Sequence, residues 1–322
     1  MDQIWKMISW LWSHKFKYVL ALLATVVFAF ILFPFSDLSD LVSSQISAAT
    51  ANQLYVQFEK LHFSVIPETG VAMEDVYVEA QGVPALKARE LVITPSITSL
   101  ITQKPAGTVV AKGFLNGNVE ISLKPGTKTE NGVERQKIAV TAAQLSLNEI
   151  RELAQLPVTL KGNLDLTSSA LVDLSFKEQP DMDLVLKINR FELPSATVQS
   201  VMGPLLLPEV KLSVLELKGR LSAGKFVIEE GTVGKEGDEI KGSVKGNVGF
   251  QLLKDGTNGS VRAQLGAYTF DIDLKVKKSF QDRVSLLSLL DSYKVPSAEG
   301  AHFKIRVSGQ SFEAPPDMNP LR

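Results

Sequence analysis

Apolar and polar side chains alternate along this chain in three different ways, and the changes divide it. Between Lys17 and Asp37 no residue is charged, and Tyr18 to Phe33 reads YVLALLATVVFAFILF, followed by Pro34 and Phe35. At about 1.5 Å per residue, roughly 18 helical residues reach most of a hydrocarbon core of about 30 Å, so this run predicts a single membrane helix near the lower length limit. Ser36 to Asn52 then places Leu38, Leu41, Val42, Ile46 and Ala49 at helical spacing behind Ser36 and Asp37, which predicts a short amphipathic helix. After it the period becomes two. Val76 and Val78 alternate with Tyr77 and Glu79, and Val119, Ile121 and Leu123 with Glu120, Ser122 and Lys124. Met182, Leu184, Leu186 and Ile188 form another such row, as do Phe270, Ile272, Leu274 and Val276 with Asp271, Asp273, Lys275 and Lys277 between them. Each run predicts a strand with one apolar and one polar face.

Turn signals at Pro67 to Gly70, Asn116 to Asn118, Pro125 to Gly132, Gly162 and Asn163, Gly234 to Asp238, and Asp255 to Gly259 separate these runs. They delimit about fifteen strands, an all-β pattern of neighbouring antiparallel pairs. Three helical interruptions are predicted: Ser146 to Gln155, opened by the capping box Ser146 and Glu149; Ser195 to Gly203, stopped by Pro204; and Ser279 to Tyr293, with Asp282 three residues after its cap and Leu286, Leu287, Leu290 and Tyr293 on one face. A glycine recurs at strand openings in AKGFLNGNVEISL, LKGNLDLTSSALVDLS, LKGRLSAGKFVIEEG and VKGNVGFQLL. It reads either as ordinary hairpin glycine or as strand pairs added edge to edge.

The domain organisation is therefore a flank at 1–17, an anchor at 18–35, an amphipathic helix at 36–53, a β-rich domain at 54–314 and a proline-rich tail at 315–322. About fifteen strands with about three inward apolar side chains each give a face of about 45 residues, which two or three short helices cannot cover. The sheet must then close into a sandwich or barrel, or remain an extended, curved trough with an apolar groove. Both need the same alternation, and the pattern leaves both open.

Charge places the chain. Lys6, Lys15 and Lys17 precede the apolar run, and Asp37 and Asp40 follow it. The lysine bias puts the N-terminus in the cytoplasm and the bulk across the membrane, in a bacterial periplasm. Tyr18, Leu20, Leu22, Val26, Phe30 and Phe33 are the anchor's apolar candidates, and Trp5, Trp10, Trp12, Lys15 and Lys17 its interfacial ones. A cleaved signal peptide would be cut at Ala49, Thr50 or Ala51, too far beyond the apolar run for that chemistry, so an uncleaved single-pass inner-membrane anchor is expected.

Composition removes several functions. With 34 Lys plus Arg against 35 Asp plus Glu, the net charge of −1 gives no field for nucleic acid. Without cysteine there is no disulfide, thiolate metal site or thiol catalysis. His14, His62 and His302 have no second ligand at metal spacing, and Asp181 with Asp183, like Asp271 with Asp273, read as carboxylates of a solvated strand face. No nucleophile-elbow, phosphate-loop or zincin motif is present. The chain thus reads as a non-enzyme without cofactor or metal, whose function lies in a surface or groove. Leu184, Leu186, Ile188, Phe270, Ile272 and Leu274 are the candidate apolar sheet face.

The order of the anchor, FPFSDLSDLV, VIPETGVAMEDVYVEA, LKARELVITPSITSLIT and AKGFLNGNVEISL resembles the type II secretion system protein N family of diderm bacteria. So does the ending SLLSLLDSY, FKIRVSGQSF and EAPPDMNP. The resemblance implies an inner-membrane component of, or accessory to, the machinery that moves folded periplasmic proteins across the outer membrane. It also implies kinship with AsmA-like envelope proteins, whose repeated strands form a groove for lipids. On that kinship the sheet is an open trough, and phospholipid or lipopolysaccharide joins the membrane and other secretion or envelope proteins among the expected partners.

Overall fold

The computed structural model describes residues 39–321 apart from 51–53, 65–69, 81–82, 97–98, 100–103, 129–131, 177, 201–202, 255–260 and 299, together with Leu20, Ala24, Thr25 and Phe28. Those four positions are helical, and the other predicted anchor and interfacial residues lie outside the described ones. Among the described residues no helix is long and apolar enough to cross a membrane. A helix is observed as α1 (Ser39–Ala49), with Ile46 packed against the first strands, whereas Leu41 of the predicted apolar stripe is 57% exposed and Ser43 is buried.

Eighteen strands follow among the described residues: β1 (Leu54–Gln57), β2 (Lys60–Ser64), β3 (Gly70–Ala80), β4 (Val83–Pro95), β5 (Gly107–Phe114), β6 (Gly117–Lys128), β7 (Glu134–Ser146), β8 (Lys161–Val172), β9 (Asp181–Leu193), β10 (Ala196–Ser200), β11 (Gly203–Leu207), β12 (Val210–Ser222), β13 (Lys225–Val233), β14 (Ile240–Lys254), β15 (Val261–Val276), β16 (Lys294–Val295), β17 (Ala301–Gly309) and β18 (Asp317–Pro320). All except β10 and β11 belong to one large antiparallel sheet. Strands adjacent in sequence are adjacent in space along nearly its whole length, and the two ends of the order do not meet. The sheet is therefore not closed, and the sandwich and barrel alternatives do not apply. β1 and β2 form one interrupted edge against β3, while β16 and β18 share the edge of β17. At about 4.8 Å per strand, the fourteen positions of the main path extend about 60 Å measured along the sheet.

Register converts the alternation of each strand into one continuous surface. Leu166 faces Leu186, Leu186 faces Leu217, Leu217 faces Gly231, Gly231 faces Val244, Val244 faces Ile272 and Ile272 faces Ile305. A slip of one residue at any pair would turn a whole strand's apolar set to the polar side, so the pattern itself fixes the pairing. In the four repeated segments the Lys-Gly dipeptide sits where the pairing shifts, at Gly113, at Gly162, between Lys218 and Gly219, and opposite the irregularity of β13 at Gly246, whereas Lys241-Gly242 pairs in regular register. The repeated glycine thus marks β-bulges, which add local twist to the sheet.

Because the strands alternate in direction, their connections alternate between two rims. The first rim holds the entry from α1 at Leu54, the β5–β6 turn at Leu115 and Asn116, helix α2 (Leu147–Leu153), the β10–β11 segment and helix α3 (Lys278–Arg283) with the 3-10 helix Ser285–Tyr293. The far rim holds the β8–β9 loop, the β12–β13 turn and the ends of β14 and β15 at Lys254 and Val261.

Three predicted helices differ in detail. Ser195 to Gly203 is not helical: β10 and β11 pair with each other from Ala196↔Leu207 to Ser200↔Gly203. Thr197 and Val198, β-branched, and the Gly203-Pro204 turn chemistry outweigh a loose helical spacing. Ser146 does precede α2 but makes no side-chain cap, and Glu149 instead accepts from Asn116 Nδ2 at 2.9 Å. Ser279 to Tyr293 breaks at Val284 (φ −119°, ψ 88°) into α3 and the 3-10 helix. Ser279 Oγ donates to Glu239 rather than capping, and Lys277 holds the N-cap position. The predicted turn at Gly162 and Asn163 lies within β8, as the bulge just described. In the proline-rich tail, β18 pairs with β17 through Met318↔Val307.

Candidate apolar site on the open sheet face

The site is built by the strand period and delimited by what covers it. Two hydrophobic clusters lie at opposite ends of the sheet. One joins Val56, Phe58, Leu61, Met73 and Val76 beneath Ile46 of α1. The other joins Val276, Ala301, Phe303 and Ile305 to Phe280 and Val284, with Leu286, Leu287, Leu290 and Tyr293 packed on it. Val76 and Phe303, at 2% and 1% exposure, are the largest fully buried side chains, one in each cluster. Helices therefore roof the two ends of the apolar face. Between them, Ile93 and Ile121 are 38% and 41% exposed, and Val140, Leu166, Leu186, Leu217, Val244 and Ile272 are only partly buried. Side chains in a closed core would have neither value.

The six face residues predicted from sequence occupy one side of one sheet. Leu184, Leu186 and Ile188 pair across β12 with Gly219, Leu217 and Leu215. Phe270, Ile272 and Leu274 pair with Val307, Ile305 and Phe303, which places Leu274 next to the roofed end and Leu186 in the open middle. Glycines on this face stand opposite aromatic rings: Gly246 faces Phe270, and Gly309 faces Tyr268, whose ring stacks on Phe312 at 4.3 Å between centroids. The rings shield backbone that a glycine leaves bare.

The opposite side is laced with cross-strand ion pairs. Lys112 meets Glu90 at 3.0 Å, Arg220 meets Asp183 at 2.7 Å, and Arg306 grips Asp271 with both Nε and Nη2. The Arg306 hydrogen bonds hold the Asp271 carboxyl below its usual range. His302 lies 2.8 Å from Asp273, while His62 is exposed. Asp183, Asp271 and Asp273 are thus matched to Arg220, Arg306 and Lys304 on the neighbouring strands, and Asp181 to Arg135 of β7 two strands away, an arrangement that neutralises a solvated face. Among the described residues no cluster of acidic and histidine side chains has metal-ligand geometry.

One arrangement has no signal in the sequence. Gln179, in the β8–β9 loop, donates from Nε2 to the Leu252 carbonyl at 3.0 Å and accepts from the Leu252 N–H at 2.8 Å. In a flat sheet β9 and β14 would stand about 14 Å apart, so the far-rim end of β14, at Leu252, is brought close to the loop that precedes β9. Arg135 of β7 holds the same loop, donating to Glu178 Oε2 at 3.2 Å and Asp181 Oδ2 at 2.5 Å. Burial would raise the Asp181 carboxyl, but its bonds from Arg135 and Ser222 outweigh this and keep it below the ordinary value. These contacts tie strands β7, β9 and β14 together at the far rim. Comparison of the chain with known protein families, curated proteins and solved structures finds no match.

Proposed function

We propose that the open apolar face binds lipid acyl chains, and that the protein is an inner-membrane-anchored, periplasmic lipid-binding or transfer protein of the AsmA-like type. The observation that carries this reading is the unroofed middle of the face, where Ile93 and Ile121 remain more than a third exposed in a row of apolar neighbours. Exposed apolar side chains grouped on one face, rather than scattered singly, mark a binding surface in proteins that stay in solution. An acyl chain is apolar, flexible and without directional demands, which suits a face that offers only side chains such as Leu, Val, Ile and Phe. The anchor reading is supported by the charge-free run from Tyr18 to Phe35 and by the helical Leu20 and Phe28, both 62% exposed. Extraction of the full chain in a mild detergent, followed by mass spectrometry of bound lipid, tests the proposal. Phospholipid or lipopolysaccharide should be retained through purification, and a lipid-free chain with unaltered fold would overturn it.

A second reading, an accessory of type II protein secretion, is favoured by the order of segments that ends in SLLSLLDSY, FKIRVSGQSF and EAPPDMNP. These segments correspond to the 3-10 helix, β17 and the chain leading into β18, which together finish one edge of the sheet. In this reading that edge, or the polar face, contacts other secretion subunits. Deleting the gene should then lower secreted exoenzymes, and normal secretion with no crosslinked secretion subunit would exclude it.

A further inference from the structure

The β10–β11 hairpin is set apart from the rest of the molecule in composition and in contacts. From Leu193 to Pro208, between Glu192 and Glu209, no residue is charged. A hairpin that must live in water is ordinarily studded with charge, as the hairpins of the main sheet are here. Among the described residues β10 and β11 pair only with each other and form a sheet of their own. Leu206 is 67% exposed, and Val198, Leu205 and Leu207 are only partly buried. At its base the charges resume in pairs, with Lys161 on Glu192 at 3.0 Å and Lys211 on Glu209 at 2.6 Å.

Its position supplies the occupant. The hairpin rises from the first rim, the rim at which the chain arrives from the charge-free N-terminal run through α1. Leu289 of the 3-10 helix, 74% exposed, lies on that rim as well. Leu253 and Leu265 are also exposed, but they belong to the far rim, a full strand length away. Five residues at about 3.3 Å each extend about 17 Å, enough to reach the boundary of headgroups and acyl chains, which lies about 5–10 Å deep. We propose that the β10–β11 hairpin is a second membrane contact, inserted into the headgroup layer of the same bilayer that holds the N-terminal run. With two contacts on one rim, the strands stand on the membrane and the unroofed face opens beside it. The inference rests on the anchor reading above.

The absence of cysteine makes the test direct. Full-length chains carrying Leu206→Cys, Leu253→Cys or Leu22→Cys, each labelled with an environment-sensitive fluorophore, are placed in nanodiscs of phosphatidylethanolamine and phosphatidylglycerol. Nitroxide lipids with a shallow acyl label should remove most of the fluorescence at positions 206 and 22 and leave position 253 unchanged, whereas aqueous iodide should quench only position 253. If position 22 is quenched by lipid and position 206 is quenched by iodide, or is shielded from both quenchers, the hairpin proposal fails while the anchor stands. If position 206 is quenched by lipid and position 22 is not, the hairpin contact stands and the anchor reading fails. Lipid quenching at neither position overturns both.

Discussion

Substituting Ile121→Asp distinguishes a binding face from a core. Ile121 sits between Val109 and Val140 on the apolar row and is 41% exposed. Full burial of such a side chain is worth about 1.5–3 kcal/mol, so about three-fifths of that, about 1–2 kcal/mol, is lost on substitution. The new carboxylate keeps contact with water and escapes the penalty of a buried, unpaired charge. Phe303→Asp is the contrast. Phe303 is 1% exposed beneath the C-terminal helices. Its truncation alone costs about 3–5 kcal/mol, and the buried charge adds more. Limited proteolysis of the full chain should therefore leave Ile121→Asp nearly as resistant as the parent and cut Phe303→Asp at the C-terminal end. Bound lipid per chain, measured by mass spectrometry, should fall in Ile121→Asp, because an acyl chain laid along the row would strip water from the carboxylate. Two results would refute the reasoning: proteolysis of Ile121→Asp as extensive as that of Phe303→Asp, or lipid content equal to the parent's.

Further outcomes follow from the far-rim tie and from the sheet's close approaches. Gln179→Ala removes both bonds to Leu252, each worth about 0.5–1.5 kcal/mol net, so hydrogen exchange at the Leu252 amide should quicken about tenfold while β12 and β13 keep their protection. Since the folded Asp181 carboxyl lies below its unfolded value, its contribution is complete above the ordinary carboxylate pKa of about 3.9 and is lost as pH falls through the folded value. Protease cleavage within the β8–β9 loop should accordingly rise below about pH 4, and Arg135→Met should produce the same cleavage at neutral pH. Gly242→Val should weaken the β14–β15 pair, because any Cβ at that position collides with the backbone of Asp273 and the side chain of Leu274. A melting temperature equal to the parent's would contradict that packing.

Much of this arrangement was readable in the chain because a strand with one wet face writes its own register. Met182 to Ile188 and Phe270 to Val276 specify which side chains share a surface, and the observed pairing places them there. Openness was not readable, since an alternating strand looks the same whether its apolar face meets another sheet or nothing. The β10–β11 hairpin does not announce itself, because Ala196 to Leu207 has no charge to mark a wet face, and charge placement is what separates the two periods. The Gln179 contact was invisible for another reason. It joins a side chain to a backbone amide 73 residues away, and a backbone amide has no residue identity. The Ser146 and Glu149 box failed because Asn116, brought in by the β5–β6 turn, competes for the same carboxylate.

The sequential order of the strands also bears on how the chain acquires its structure. Nearly every strand of the main sheet bonds to a strand that arrives shortly before or after it in the chain, with β9 and β12 separated only by the short hairpin. Loop closure is then inexpensive at every step, and contacts of low sequence separation form quickly. A chain that emerges from its N-terminus can add each strand to the growing edge as it appears, without waiting for the last. The transient edge is the hazard, since an unpaired strand invites the wrong partner. At this edge β18 covers part of β17 with four exposed residues closing with Pro320, and a strand so short and proline-marked is a poor template for further pairing.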